Sequence, residues 1–225
     1  MTTTYTQTSA ERSAAVEAGG AATESMGGVA VVILAILSLA GVVPGALTPI
    51  AAIVFGAAFL IEGAALAARR NEMMTGLIGA EAESVILGGG VTVEMASGVT
   101  AVVLGILALI GVASASMIST VLIVGGAGLI LSAGALSEFA ELRAALAGAA
   151  GATQRLARTA VSGAVGTQVL AGLSTVVLGI LSLVPSLAAH DVTFVRVGML
   201  VLGAALVVSG TALSGRMLGF SRRRR

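Results

Sequence analysis

Apolar positions fill this chain in six runs, 26–43, 50–68, 95–113, 117–136, 169–187 and 193–213, with most of the charged residues gathered between and beyond them. At 1.5 Å per helical residue, each run is about the length that crosses a hydrocarbon core of roughly 30 Å, so the pattern predicts six membrane-spanning helices. Within successive pairs the link is short and carries turn formers: Pro44, Gly45 and Pro49 in the first, residues 114–116 in the second, 185–191 in the third. Each pair is therefore expected to fold as an antiparallel hairpin, giving an all-α membrane protein of six transmembrane helices.

The pairs repeat one another. VVLGILALIG at 102–111 recurs as VILAILSLAG at 32–41 and as VVLGILSLV at 176–184. An offset of 70 carries Glu24 onto Glu94, Gly28 onto Gly98 and Glu62 onto Ser132; an offset of 74 carries Glu94 onto Gln168 and Gly98 onto Gly172, widening to 77 where Ser132 meets Ser209. Three tandem two-helix units explain this spacing most simply. The organisation expected is a flexible tail over 1–12, units over 13–75, 76–148 and 149–218, and a basic tail over 219–225. Units with an even number of spans insert in the same sense and so form parallel repeats. The segments between units, rich in Ala, Gly and Glu, are expected to prolong the helices beyond the membrane, with breaks near 76–79 and 148–151.

Composition agrees with a membrane protein: hydrophobic residues are 57% of the chain, charged residues 10%, and the mean hydropathy is +1.07. Net charge is only +1, but its placement is lopsided. Eleven arginines (12, 69, 70, 143, 155, 158, 216 and 222–225) fall on the side of the termini and the inter-unit segments, and only Arg196 falls on the other. Positive charge is retained on the cytoplasmic side, so both termini are expected there. Arg69, Arg70 and Arg222, Arg223, Arg224 and Arg225 read as topology anchors that meet anionic lipid headgroups. With no cysteine and one histidine, thiolate metal sites, iron–sulfur clusters, disulfides and multi-histidine sites are ruled out. No metal, cofactor or catalytic residue is expected, and no nucleic-acid partner, because the terminal arginine run comes with no soluble domain.

The LGIL or LAIL core, the short turn, and a second span reading Gly126-Ala127-Gly128-Leu129-Ile130-Leu131-Ser132-Ala133-Gly134 resemble the HdeD-like short-repeat membrane proteins of bacteria. The resemblance covers residues 25–215. It implies a six-helix protein of the bacterial inner membrane, non-enzymatic, with a part in stress tolerance, and it brings no catalytic residues with it.

The most suggestive local feature is a ladder at the start of each odd-numbered helix: Gly20, Glu24, Gly28; Gly90, Glu94, Gly98; Ala164, Gln168, Gly172. Residues four apart share a helix face, and the stripe runs on through Ala35, Gly105 and Gly179. Small residues let helices approach closely in lipid, which suggests packing against a second copy or a larger membrane complex as scaffold or accessory subunit. Two readings of the polar rung compete. Glu24 and Glu94 are solvated in a first helical turn, the reading preferred on sequence alone; or the helices begin earlier, near residues 13, 83 and 157, and the carboxylates are buried, as in a channel or transporter for protons or small solutes. Glu62, two turns before Arg69, is expected to snorkel or pair with arginine. Glu24, Glu94, Gln168 and Glu62 are thus the candidate polar path, and Gly20, Gly28, Gly90, Gly98, Gly105, Gly172 and Gly179 the candidate packing stripe.

Overall fold

The computed structural model describes residues 22–77, 89–146 and 152–221. Among these the chain is helical without strands: α1 (Ala22–Leu39), α2 (Pro44–Leu77), α3 (Gly89–Leu109), α4 (Ser114–Leu146), α5 (Ala152–Ser182), a 3₁₀ turn (Pro185–His190) and α6 (Asp191–Ser221). Five of the helices, α1, α2, α4, α5 and α6, are long and apolar enough to cross a membrane; the apolar part of α3 is Val93–Leu109. Helices prolonged past the apolar runs are present, with α2 reaching Leu77, α4 reaching Leu146 and α5 beginning at Ala152. The expected N-terminal tail, Gly20 and Arg222 to Arg225 lie outside the described residues, as do the surroundings of Gly90 and the side chains of Arg69 and Arg70, while residues 219–221 of the expected basic tail continue α6.

The turns differ from the sequence expectation. Pro44 is not in the link but opens α2, Pro49 lies inside α2, and Ser114 opens α4, so the connections are residues 40–43 and 110–113. Proline suits a first helical turn because its missing N–H has no helical partner there. The preceding helices stop at glycine instead: Gly41 has φ +83° and Gly111 φ +88°. In each case the next residue closes the cap, Val42 N–H on Leu37 C=O and Val112 N–H on Leu107 C=O, both at 3.0 Å. This is a Schellman cap, which needs the left-handed residue that glycine supplies at low cost. The third connection is built differently, from the 3₁₀ turn.

Three close crossings hold the helices. A Cβ on Gly98 of α3 would lie 2.8 Å from the carbonyl oxygen of Gly56 on α2, and one on Gly56 would lie 2.6 Å from that of Gly98. Gly172 of α5 and Gly126 of α4 mirror this, each 2.6 Å from the other's carbonyl oxygen, and Gly28 of α1 meets Gly203 of α6 at 2.8 Å. Further along, Gly105 rests on Pro49 and Ile53, and Gly179 on Ser119 and Ile123. Helix α1 also touches α2, where Gly27 faces Ala58. With α2 against α3, α3 against α4, α4 against α5 and α5 against α6, the first helix closes onto the last and the six form a ring. Helices α2, α4 and α6 also touch one another at its centre.

That centre is apolar for most of its length. Phe55 and Phe59 of α2, Leu122 and Leu129 of α4, and Met199, Leu202 and Leu206 of α6 are fully buried. Volume is shared unequally between helices: Phe55 and Leu202 reach towards α4 where Gly125 leaves room, so one large ring fills the space of a missing side chain. The outer surface is equally apolar, with Ile33 and Ile36 on α1, Val99 and Val103 on α3, and Leu170 and Val177 on α5 exposed. A helix bundle greasy both inside and outside suits lipid rather than water.

Candidate functional site

At one level of the bundle every helix contributes a buried polar side chain, apart from hydroxyls such as Ser97 and Thr175 buried further along. At this level they are Glu24 from α1, Glu62 from α2, Glu94 from α3, Ser132 from α4, Gln168 from α5 and Ser209 from α6, none more than 5% exposed. The ladder explains how they arrive there. Glu24, Glu94 and Gln168 each lie one helical turn before the glycine of a close crossing, on the same face, so the contact that draws two backbones together turns the polar side chain inward. Glu62 lies 18 residues along α2 from Pro44, which puts this level roughly 27 Å from the hairpin face, near the far edge of the hydrocarbon core.

The solvated carboxylates preferred on sequence grounds are not what the structure contains. Glu24 and Glu94 are each 1% exposed, and Glu62, expected to snorkel or pair with arginine, is 5% exposed and does not snorkel; the pairing expectation falls on Arg69 and Arg70, whose side chains lie outside the described residues. Periodicity could not settle this, because the same four-residue spacing arises whether a helix's first turn projects into water or is enclosed by five neighbours.

Contacts around the ring are unequal. Gln168 Nε2 donates to Ser209 Oγ at 2.9 Å, and Ser209 in turn faces the Glu24 carboxyl. Ser132 faces Glu94 and donates its proton to the Leu129 carbonyl at 3.1 Å. Glu62 lies within electrostatic reach of both Glu24 and Glu94, and those two within reach of each other. The ring therefore has an acidic half, Glu24–Glu62–Glu94, and a neutral half, Ser132–Gln168–Ser209. Both Glu24 oxygens, Glu62 Oε2, Glu94 Oε2 and Gln168 Oε1 are buried without a hydrogen-bond partner. All five are acceptors, and among the described residues none of them receives a donor. Leaving a buried acceptor unsatisfied costs on the order of 1–3 kcal/mol, more when it is charged.

Ser132 and Ser209 were not among the residues singled out from sequence, yet they complete the ring. The offsets of 70 and 77 already align them with Glu62, but on sequence a hydroxyl in that place says only that the repeat needs no charge there. Among the described residues, no three His, Cys, Asp or Glu side chains are gathered closely enough to hold a metal ion. The carboxyls are neighbours rather than a coordination shell.

At the hairpin face the starts of α2, α4 and α6 surround a cavity of about 200 Å³, lined by Pro44, Thr48, Ser114, Ser119, Asp191 and Arg196 among others. Hydroxyl pairs tie its walls to the outer helices, Ser38 to Thr48 at 2.8 Å and Ser182 to Ser119 at 2.7 Å. The buried apolar side chains of the centre separate this cavity from the polar ring. His190 is exposed beside Phe194, their ring centroids 6.3 Å apart.

The chain matches no protein-family model, no curated protein and no solved structure.

Proposed function

We propose that this chain is a six-span membrane protein of three tandem hairpins, with both termini cytoplasmic, whose polar ring takes up and passes protons. The tandem plan is supported by the three close crossings. Gly56, Gly126 and Gly203 are related by offsets of 70 and 77, and they meet Gly98, Gly172 and Gly28, themselves related by 70 and 74. One contact is thus made three times, each odd helix lying against the even helix of the preceding unit, with α1 completing the circle on α6. Orientation follows from the eleven-to-one arginine distribution.

The single observation behind the proton reading is the row of five buried acceptor oxygens without donors, spread over three carboxyls and one amide. Protons are the smallest ligands that supply donors to such a site and cancel its charge without needing coordination geometry. Ionisable groups in a membrane interior are costly enough to mark a functional path. Since Phe55, Phe59, Leu129 and Leu206 close the centre beyond the ring, protons exchange with the cytoplasmic side in this conformation. Transit to the hairpin-face cavity requires those side chains to move.

A scaffold or stress-related accessory role, which the HdeD-like resemblance implies, would have to use another surface. Gly28, Gly98, Gly105, Gly172 and Gly179 are all occupied by contacts inside the chain.

In proteoliposomes carrying an internal pH dye, an imposed pH gradient is expected to relax faster with the protein than without it. Glu94→Gln should slow that relaxation by roughly tenfold or more, since it removes a proton-carrying group while keeping its shape. Wild-type vesicles no faster than empty ones, or a Glu94→Gln variant as fast as wild type, would overturn the proposal.

A further inference from the structure

Glu62 breaks the pattern of the even helices. At the equivalent positions α4 has Ser132 and α6 has Ser209, so two of the three even helices give a hydroxyl and only α2 gives an acid. The odd-helix acids are not alike in their surroundings either. On its far side Glu24 meets Ser209, which already accepts a hydrogen bond from Gln168. Glu94 meets Ser132, whose proton goes to Leu129. Towards α2, both lie within electrostatic reach of Glu62, and the packing agrees: a Cβ on Gly63 would lie 3.3 Å from Glu94 Cβ, while Gly27, three residues from Glu24, faces Ala58, one turn from Glu62. Glu24 and Glu94 also reach each other, so direct exchange is the alternative that the Glu62 variants test.

We propose that Glu62 is the carboxyl through which Glu24 and Glu94 exchange protons, which makes it a distinct relay residue within the proton-handling ring. The inference rests on the proton reading above. In each step the O–H bond of one carboxylic acid breaks and that of the neighbouring carboxylate forms. Glu24 gives its proton to ionised Glu62 and is left as carboxylate; Glu62 then gives a proton to Glu94. The sum moves one proton from α1 to α3 with no other bond changed and no co-reactant. Neither serine can replace this step, because a hydroxyl does not alternate between a protonated and an ionised form as a carboxyl does.

An independent feature also points to mobile donors at this level. Gln168 is 2% exposed, its amide is fixed by its bond to Ser209, and its Oε1 has no partner. An amide oxygen does not take up a proton of its own, so it waits on a donor from a neighbour or an entering water. The charged groups within reach of Glu62 are Glu24 from α1 and Glu94 from α3. Arg69 and Arg70 follow about two turns further along α2, and their side chains are outside the described residues.

The decisive variant is Glu62→Ser, which gives all three even helices the same residue. The protein is reconstituted in proteoliposomes and compared with Glu24→Gln, Glu94→Gln and the isosteric Glu62→Gln, which serves if the serine variant fails to fold. Both Glu62 variants should lose pH-driven flux by roughly tenfold or more, the scale of a lost proton-transfer group. Glu62→Asp, which restores a carboxyl, should recover part of it. In nanodiscs the broad infrared continuum of a proton shared between carboxyls should be present in wild type and absent from both variants. A merely structural role would not move that band. Flux and continuum both at wild-type level without the Glu62 carboxyl, while Glu24→Gln and Glu94→Gln are inactive, would overturn the relay and leave the proton reading standing. Loss in none of the variants would overturn both.

Discussion

Leucine in place of Gly98 or Gly126 should leave a protein that inserts but does not hold its fold, seen as aggregation in mild detergent or a broad, early thermal transition. A Cβ at Gly98 would meet Leu60 Cγ at 2.7 Å and the Gly56 carbonyl at 2.8 Å; at Gly126 it would meet the Gly172 carbonyl at 2.6 Å. Real Cβ contacts do not come so close, and the obstacle is backbone, so the helices must separate. Over-packing of a core typically costs about 1–3 kcal/mol, and a clash with backbone belongs at or beyond the upper end. In lipid no hydrophobic force draws the separated helices back, since association there depends on close packing and interhelical hydrogen bonds. Separation would also carry Glu94 or Gln168, one turn away, out of register with the ring. Gly163 and Gly166 of α5 are the controls. Nothing lies within 4 Å of a Cβ at either. Alanine there should be harmless or should stabilise by up to about 1 kcal/mol, the usual gain over glycine in a helix. Equal damage at all four positions would show that the crossings are not what holds the bundle.

Much of this framework was legible in the chain. The apolar runs, their pairing and the glycine stripe follow from periodicity, because a helix in lipid must bond its own backbone and its close contacts must be small. What periodicity did not specify was where the helices end. Pro44, Gly45 and Ser114 read as turn residues, but proline and serine are also good helix starters, and the stop came from Gly41 and Gly111. The site was half legible. Glu24, Glu94, Gln168 and Glu62 stood out as polar residues within or beside apolar runs. Their enclosure depends on the closing contact between Gly28 and Gly203, which lie 175 positions apart in a chain of 225. No local pattern encodes a contact of that range. Ser132 and Ser209 are aligned with Glu62 by the repeat, but alignment alone does not make a hydroxyl a site residue, because hydroxyls inside helices commonly bond their own backbone, as Thr100 does to Ala96 at 2.7 Å and Ser174 to Leu170 at 2.8 Å.

The second large effect runs against the usual direction of core mutations. Glu62→Met should make the protein more stable while removing its proton flux. Glu62 carries an unpartnered buried oxygen and sits between two further carboxyls. Methionine fills similar space without an acceptor, so the desolvation penalty of about 1–3 kcal/mol is relieved. Replacing buried polar groups by apolar residues of like volume is often neutral or stabilising. Functional sites kept at the expense of stability behave in this way. Thermal unfolding of the two proteins in the same nanodiscs would measure it. A lower transition for Glu62→Met would mean that Glu62 has a favourable partner, for instance a bound cation that the ring holds as part of its structure.

The polar ring exists only if the first and last helices meet at its level, with Glu24 of α1 beside Ser209 of α6. Because the chain has no cysteine, the pair can be addressed directly with a Glu24→Cys, Ser209→Cys double variant and a short thiol-bridging reagent in membranes. Closure of the ring predicts a cross-link within one chain, efficient and independent of protein density in the bilayer. Cross-links only between chains, or none while each cysteine alone reacts with a monofunctional reagent, would contradict it.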